Sequence, residues 1–172
     1  AWARIARALA ARKPEGCEAV LAETKAPADV LRVVLGRMAT SDPTRAVRLA
    51  SAMPEGEQRE AAPAAIVEAT AAAQPAQAGD LLWSMESPHW QARGAEALAR
   101  QLARTAWDAA TALLGLVSDP QDSQRLRADI AAILAPREPD RARRLLELLP
   151  DSYYRGEAGM EAALGMLAAG RD

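Results

Sequence analysis

The sequence predicts an all-α fold, a solenoid of stacked helical hairpins with a 32-residue period, and three observations carry that expectation. The first is repetition. Ala46, Ala78, Ala110 and Ala142 recur every 32 residues, as do Leu49, Leu81, Leu113 and Leu145. Ala50, Leu82, Leu114 and Leu146 follow, then Met53, Met85, Val117 and Leu149. A fixed period of about 20–50 residues marks a stacked-repeat architecture. The second is composition: half the residues are apolar, Phe is absent, and only four Trp and two Tyr occur. Ala and Leu lead the helix-propensity scale, while aromatic and β-branched strand formers are scarce. The third is punctuation, since prolines return at matching points of the copies.

The elements follow in order. Residues 1–13 carry Trp2, Ile5, Ala6 and Leu9 at helical spacing and fit a lone second helix of a preceding hairpin. The phase then slips by about three residues. Cys17, Val20 and Leu21 align with the first-helix stripe, and Val30, Val34 and Met38 with the second. The copy from Asp42 to Ala73 sets the template. Pro43 suits the first helical position, where its missing N–H has no partner to lose, and Asp42 caps from just before it. Val47, Leu49, Ala50 and Met53 form the stripe, Pro54-Glu55-Gly56 breaks the helix, and Ala62, Ala65, Ile66, Ala69 and Thr70 line a second one. Pro75 and Pro139 share the column of Pro43, with Trp107 standing there in the third copy as a staple against its neighbour. Ser87-Pro88 and Asp119-Pro120 place capping side chains before the second helices, and Asp151-Ser152 falls at the same column. In those helices Ile66, Leu98 and Ile130 recur, as do Thr70, Leu102, Leu134 and Met166. The column Ala62, Gly94, Leu126 and Ala158 is mostly small, as close helix approach requires. About five hairpins and a half are expected, in one domain over residues 1–172 that is a segment of a longer array. A short amphipathic hairpin cannot bury its own stripe, so stacked neighbours must do it.

Ala46, Leu49, Ala50 and Met53, with Ala62, Ile66 and Ala69, resemble the pattern of the tetratricopeptide repeat over nearly the whole chain. The resemblance implies a right-handed α-α superhelix whose first helices line a concave, partner-binding face. The period of this chain is shorter than the family's 34 residues, the family's first-helix aromatics are missing, and Leu82, Leu114 and Leu146 stand where it has small residues. A HEAT-like or other α-α repeat is the alternative.

Little in the chain points to chemistry. The formal charge of −2, from 21 basic and 23 acidic residues, disfavours a nucleic-acid partner, which calls for a basic excess or stripe. The basic clusters Arg4, Arg7, Arg12, Lys13 and Arg137, Arg141, Arg143, Arg144 are interspersed with acids and read as solvated faces. Cys17 is alone, which excludes an internal disulfide and favours a reducing compartment such as the cytoplasm. No apolar run approaches the ~20 residues that span a bilayer. His89 is the one histidine, expected to be exposed in a first turn beside Trp90. Glu55, Glu57 and Glu60, with Glu68 beyond, read as acids attracted to a helix start by its dipole. No catalytic, cofactor or metal site is predicted.

The aromatics break the repeat. On a concave first-helix face the groove columns are Thr44, Ala76, Asp108, Asp140, then Val47, Gly79, Thr111, Arg143, then Ser51, Trp83, Gly115, Glu147. The small or polar equivalents of Trp83 do not call for an indole. It either anchors a bound peptide or fills a gap beside the next hairpin. Trp90 and Tyr154 share a column with Gln58 and Asp122 and either clamp the inter-helix turn or add to the same surface. The candidate partner-binding residues are therefore Trp83, Thr111, Arg143, Glu147, Trp90 and Tyr154. The leading functional expectation is a non-catalytic module that binds a protein or peptide. A structural spacer comes second, and an enzyme or nucleic-acid binder third. Self-association through uncapped ends near Ile5, Leu9 and Ala163 to Leu167 is also expected.

Overall fold

The computed structural model describes residues 28–53, 55–150 and 159–160. Eight α-helices run through the described chain: α1 (Ala28–Ser41), α2 (Pro43–Ser51), α3 (Glu57–Thr70), α4 (Pro75–Trp83), α5 (Pro88–Leu102), α6 (Trp107–Ala112), α7 (Pro120–Leu134) and α8 (Pro139–Glu147). A 3-10 turn, Leu113–Leu116, extends α6, and no strand occurs among the described residues. The chain forms two compact units, Ala1–Gly94 and Ala95–Asp172. The features expected before Ala28 and after Pro150, including the half-hairpin, Cys17 and both candidate end faces, lie outside the described residues.

The sequence repeat is also a repeat of backbone hydrogen bonds. After each second helix a turn closes in the same way: Asp42 N–H to Met38 (2.7 Å), Gln74 to Thr70 (2.7 Å), Ala106 to Leu102 (2.6 Å) and Glu138 to Leu134 (2.8 Å). Those same four residues then accept from the column alanines Ala46, Ala78, Ala110 and Ala142 at 3.0–3.1 Å. All four alanines are fully buried, so a larger side chain has no room where the helices begin. Each first helix ends alike, with Met53, Met85, Val117 and Leu149 donating three residues back at 3.0–3.3 Å. The turn at Asp42 obeys this pattern too.

Local chemistry explains where the helices start. Pro43, Pro75, Pro120 and Pro139 occupy first-turn positions, where no intrahelical N–H is needed. The expected Asp42 cap is present, with Oδ1 accepting from the Arg45 N–H at 2.9 Å. Asp119 Oδ1 accepts from Gln121 and Asp122 at 2.8 and 3.0 Å. Such caps contribute about 1 kcal/mol each. Gln74, Ala106 and Glu138 make no side-chain cap at the corresponding positions. α3 begins after Gly56, whose φ of 145° is accessible to glycine and strained for other residues.

In the first unit α1 packs on α3, α2 lies against both, and α4 packs on α3. Val34, Leu35, Met38, Ala39, Ala46, Ala50, Met53, Ala62 and Ile66 form the buried cluster. The expected second-helix face of α3 is buried at Ala62, Ala65, Ile66 and Thr70, and half-buried at Ala69. Ala64 and Val67 are buried as well, because α3 has neighbours on more than one side. The Thr70 hydroxyl is satisfied by donating to the Ile66 carbonyl at 2.8 Å. A Cβ on Gly94 would sit 3.0 Å from Leu82 Cδ1, which is the close approach expected of that column. In the second unit α6 and α8 pack on α7, around Leu113, Leu126, Ile130, Leu134, Ala142 and Leu145. Each fully buried Leu or Ile contributes about 1.5–3 kcal/mol.

One first helix departs from the expected form. The stripe Ala110, Leu113, Leu114 and Val117 suggested a helix like the others, yet α6 gives way to a 3-10 turn at Leu113. Gly115 stands where the other copies have Ser51, Trp83 and Glu147. Glycine lowers helix propensity by about 1 kcal/mol relative to alanine, and helix ends readily tighten to 3-10 geometry.

Candidate partner-binding surface

Trp83 is the last residue of α4 and is 63% exposed. Its indole makes no ring contact or hydrogen bond among the described residues. Most of its surface is therefore open to solvent. Trp90, in the first turn of α5, is half-buried and meets His89 edge-to-face, with centroids 4.8 Å apart and planes at 73°. His89 itself is exposed. Both aromatics belong to the first unit.

Thr111, Arg143 and Glu147 belong to the second. The Thr111 hydroxyl donates to the Asp108 carbonyl at 3.0 Å, so it is engaged by its own helix. Arg143 and Glu147 lie one turn apart on α8 with 73% and 66% of their side chains exposed, and their charged atoms approach to 3.9 Å. A pair so exposed contributes a few tenths of a kcal/mol at most. Tyr154 lies outside the described residues. The structure thus joins His89 to Trp90 and Arg143 to Glu147, and places Trp83 by itself on a different unit from the α8 pair.

Two features escaped the sequence reading. One is the setting of Trp107, which stands in the proline column. Arg141 of α8 covers its ring, with the guanidinium carbon 4.4 Å from the centroid, and Glu138 pairs with the same guanidinium. The indole is a structural contact between consecutive first helices, in keeping with the expected staple, although its enclosed Nε1 has no hydrogen-bond partner among the described residues.

The other is a cleft of about 520 Å³ in the first unit. It is bounded by the end of α2, the start of α3, the end of α4 and the turn that follows. Half-buried Val47, Leu81 and Met85 form an apolar floor, and buried Ile66 and half-buried Pro63 of α3 also line the cleft. Of the described residues lining it, Glu55, Glu60 and Glu86 are acidic and Arg59 alone is basic. Arg59 reaches Glu55 only at 4.0 Å, with both side chains exposed. Pro63 lies inside α3 and offers no N–H to the Arg59 carbonyl one turn back. These glutamates read, from sequence, as dipole-complementing acids. Glu57 and Glu60 do occupy the first turn of α3. What could not be read is that Glu86 joins them across the next turn.

Among the described residues no cluster of His, Cys, Asp and Glu could hold a metal ion, and no helix is long and apolar enough to cross a membrane. No family model matches the chain, and no curated protein or solved structure matches it either.

Proposed function

We propose that the chain is a non-catalytic helical-repeat module, wound as a right-handed superhelix, whose first-helix surface binds a protein segment or peptide. The observation that carries this reading is the exposed indole of Trp83, at a column otherwise filled by Ser51, Gly115 and Glu147. A tryptophan offers a large, stiff apolar surface with one polar edge, and such residues dominate binding energy at interfaces. Exposed Arg143 and Glu147 supply charge on another first helix. A peptide-array survey with the 172-residue protein tests the reading. Trp83→Ala is expected to weaken the best ligands at least tenfold and Arg143→Glu to change which ligands bind. Binding unchanged in both variants would count against it.

A second reading, a structural spacer, draws support from the bonds between hairpins of the second unit. Arg100 of α5 donates to Asp129 of α7 at 2.8 Å, and Arg137 donates to the Arg104 carbonyl at 3.3 Å. On this reading, removing residues 43–74 in frame shortens the distance between reporters fused to the two ends by one repeat and leaves the remainder folded. Reporters that do not move closer would exclude it.

A further inference from the structure

The repeat register supplies an internal counterpart for the acidic cleft. Arg127 lies two periods after Pro63, and Leu148 lies two periods after Ser84. In the second unit Arg127 of α7 crosses to the end of α8, where Nη1 donates to the Leu148 carbonyl at 3.3 Å. In the first unit both corresponding residues line the cleft. There the proline ring stops short, and the Ser84 carbonyl meets no protein donor among the described residues. One unit thus fills this position with its own guanidinium, and the other leaves it open beneath Glu55, Glu60 and Glu86.

Charge and shape agree on what would fill it. Three carboxylates against one guanidinium leave an excess of two negative charges around the opening. The start of α3 also faces this region and carries the equivalent of about half a positive charge. That partial charge is smaller than the carboxylate excess, and Glu57 and Glu60 in the same turn already oppose it. The field therefore favours a cation and repels phosphate. The floor of Val47, Leu81 and Met85 suits an aliphatic stem, and a volume of about 520 Å³ falls within the ~300–1,000 Å³ range of ligand pockets. Long basic side chains lay their methylenes on apolar surface and keep the charged head in a polar rim.

We propose that this cleft recognises a basic side chain, arginine or lysine, presented by a peptide with apolar residues on either side. The proposal rests on the peptide-binding reading and names the chemistry of the partner. The arginine head takes the place that Arg127 fills in the second unit, between the glutamate rim and the Ser84 carbonyl. Its stem and the flanking apolar residues cover the floor.

Fluorescence anisotropy with the 172-residue protein and labelled twelve-residue peptides tests it. The probes carry a central Leu-Arg-Leu-Arg-Leu in Gly-Ser flanks, the same peptide with Glu for Arg, and the same with Gly for Leu. The first is expected to bind at least tenfold tighter than either of the others. The Glu60→Gln, Glu86→Gln double variant should weaken it at least fivefold. Pro63→Arg, which supplies the side chain from within, should weaken it at least tenfold. Asp80→Asn, on α4 and not among the cleft-lining residues, should have no effect, and circular dichroism verifies that each variant is folded. Equal binding of the Glu or Gly peptide overturns the proposal, as does an affinity unmoved by the double variant and by Pro63→Arg. A peptide lost on Trp83→Ala but indifferent to the cleft variants overturns the cleft assignment and leaves the peptide-binding reading standing. Failure of every peptide overturns the cleft proposal, while the peptide-binding reading falls only on the peptide-array survey with Trp83→Ala and Arg143→Glu.

Discussion

The second unit crosses the gaps between its helices with arginines, whereas the first leaves one of its gaps open. Arg100 joins α5 to α7 through Asp129 while also approaching the buried Glu96 at 3.5 Å, and Arg127, Arg137 and Arg141 each reach a neighbouring segment. The first unit relies on close apolar approach, seen at Gly94 against Leu82, and on Gln91 donating to the Leu82 carbonyl at 3.2 Å. The backbone turns are the same in both. The repeat is therefore held by what recurs, the buried alanines and the turn hydrogen bonds, and the positions between hairpins are free to differ. Differences at those positions are where surface chemistry arises.

The largest expected effect addresses what the two units share. Ile66→Ala in the first and Ile130→Ala in the second remove fully buried side chains from one column, and each should cost about 2–5 kcal/mol. Urea denaturation followed by circular dichroism measures both. Costs differing by more than about 2 kcal/mol would mean that the shared column is not energetically equivalent. A smaller effect of opposite sign tests the contrast itself. Pro63→Ala restores an N–H to the interior of α3, and Ala95 already occupies that column in α5. The substitution should stabilise the protein by about 1–3 kcal/mol and raise Tm. A fall in Tm would show that the packing of the proline ring outweighs the missing hydrogen bond. The smallest effect belongs to Arg141→Ala, which uncovers Trp107 and should cost about 0.5–1 kcal/mol. Greater acrylamide quenching of tryptophan fluorescence should accompany it, and unchanged quenching would mean that the guanidinium does not shield the ring.

The helical layout was legible in the sequence because it rests on local rules. The columns of Ala46 and Ile66, the prolines at helix starts and the caps at Asp42 and Asp119 each follow from residue type and spacing. Which of two adjacent apolar positions turns inward was not legible. Ala50 and Leu82 are buried in the first unit while Leu49 and Leu81 are half-buried; in the second, Leu113 and Leu145 are buried and Leu114 and Leu146 half-buried. Neighbouring positions lie about 100° apart on a helix, so a modest rotation exchanges them. The exposure of Trp83 depends on whether a neighbour covers it, which no single copy of the repeat encodes. The cleft was hidden for a similar reason, since Glu60 and Glu86 come from different hairpins. A signal was nevertheless present in the column Pro63, Ala95, Arg127, where one reaching side chain follows two residues that cannot reach.

The neighbour relations within each unit bear on how the chain acquires its structure. The principal helix pairings within each unit join elements no more than two apart in chain order. Contacts so close in sequence require little loop closure before they form, and helical proteins of this kind fold in microseconds to milliseconds. A hairpin can dock on the one before it as soon as its own residues are available, without waiting for the C-terminus. Each unit is thus suited to fold progressively during synthesis, each helix packing on partners that precede it by one or two elements.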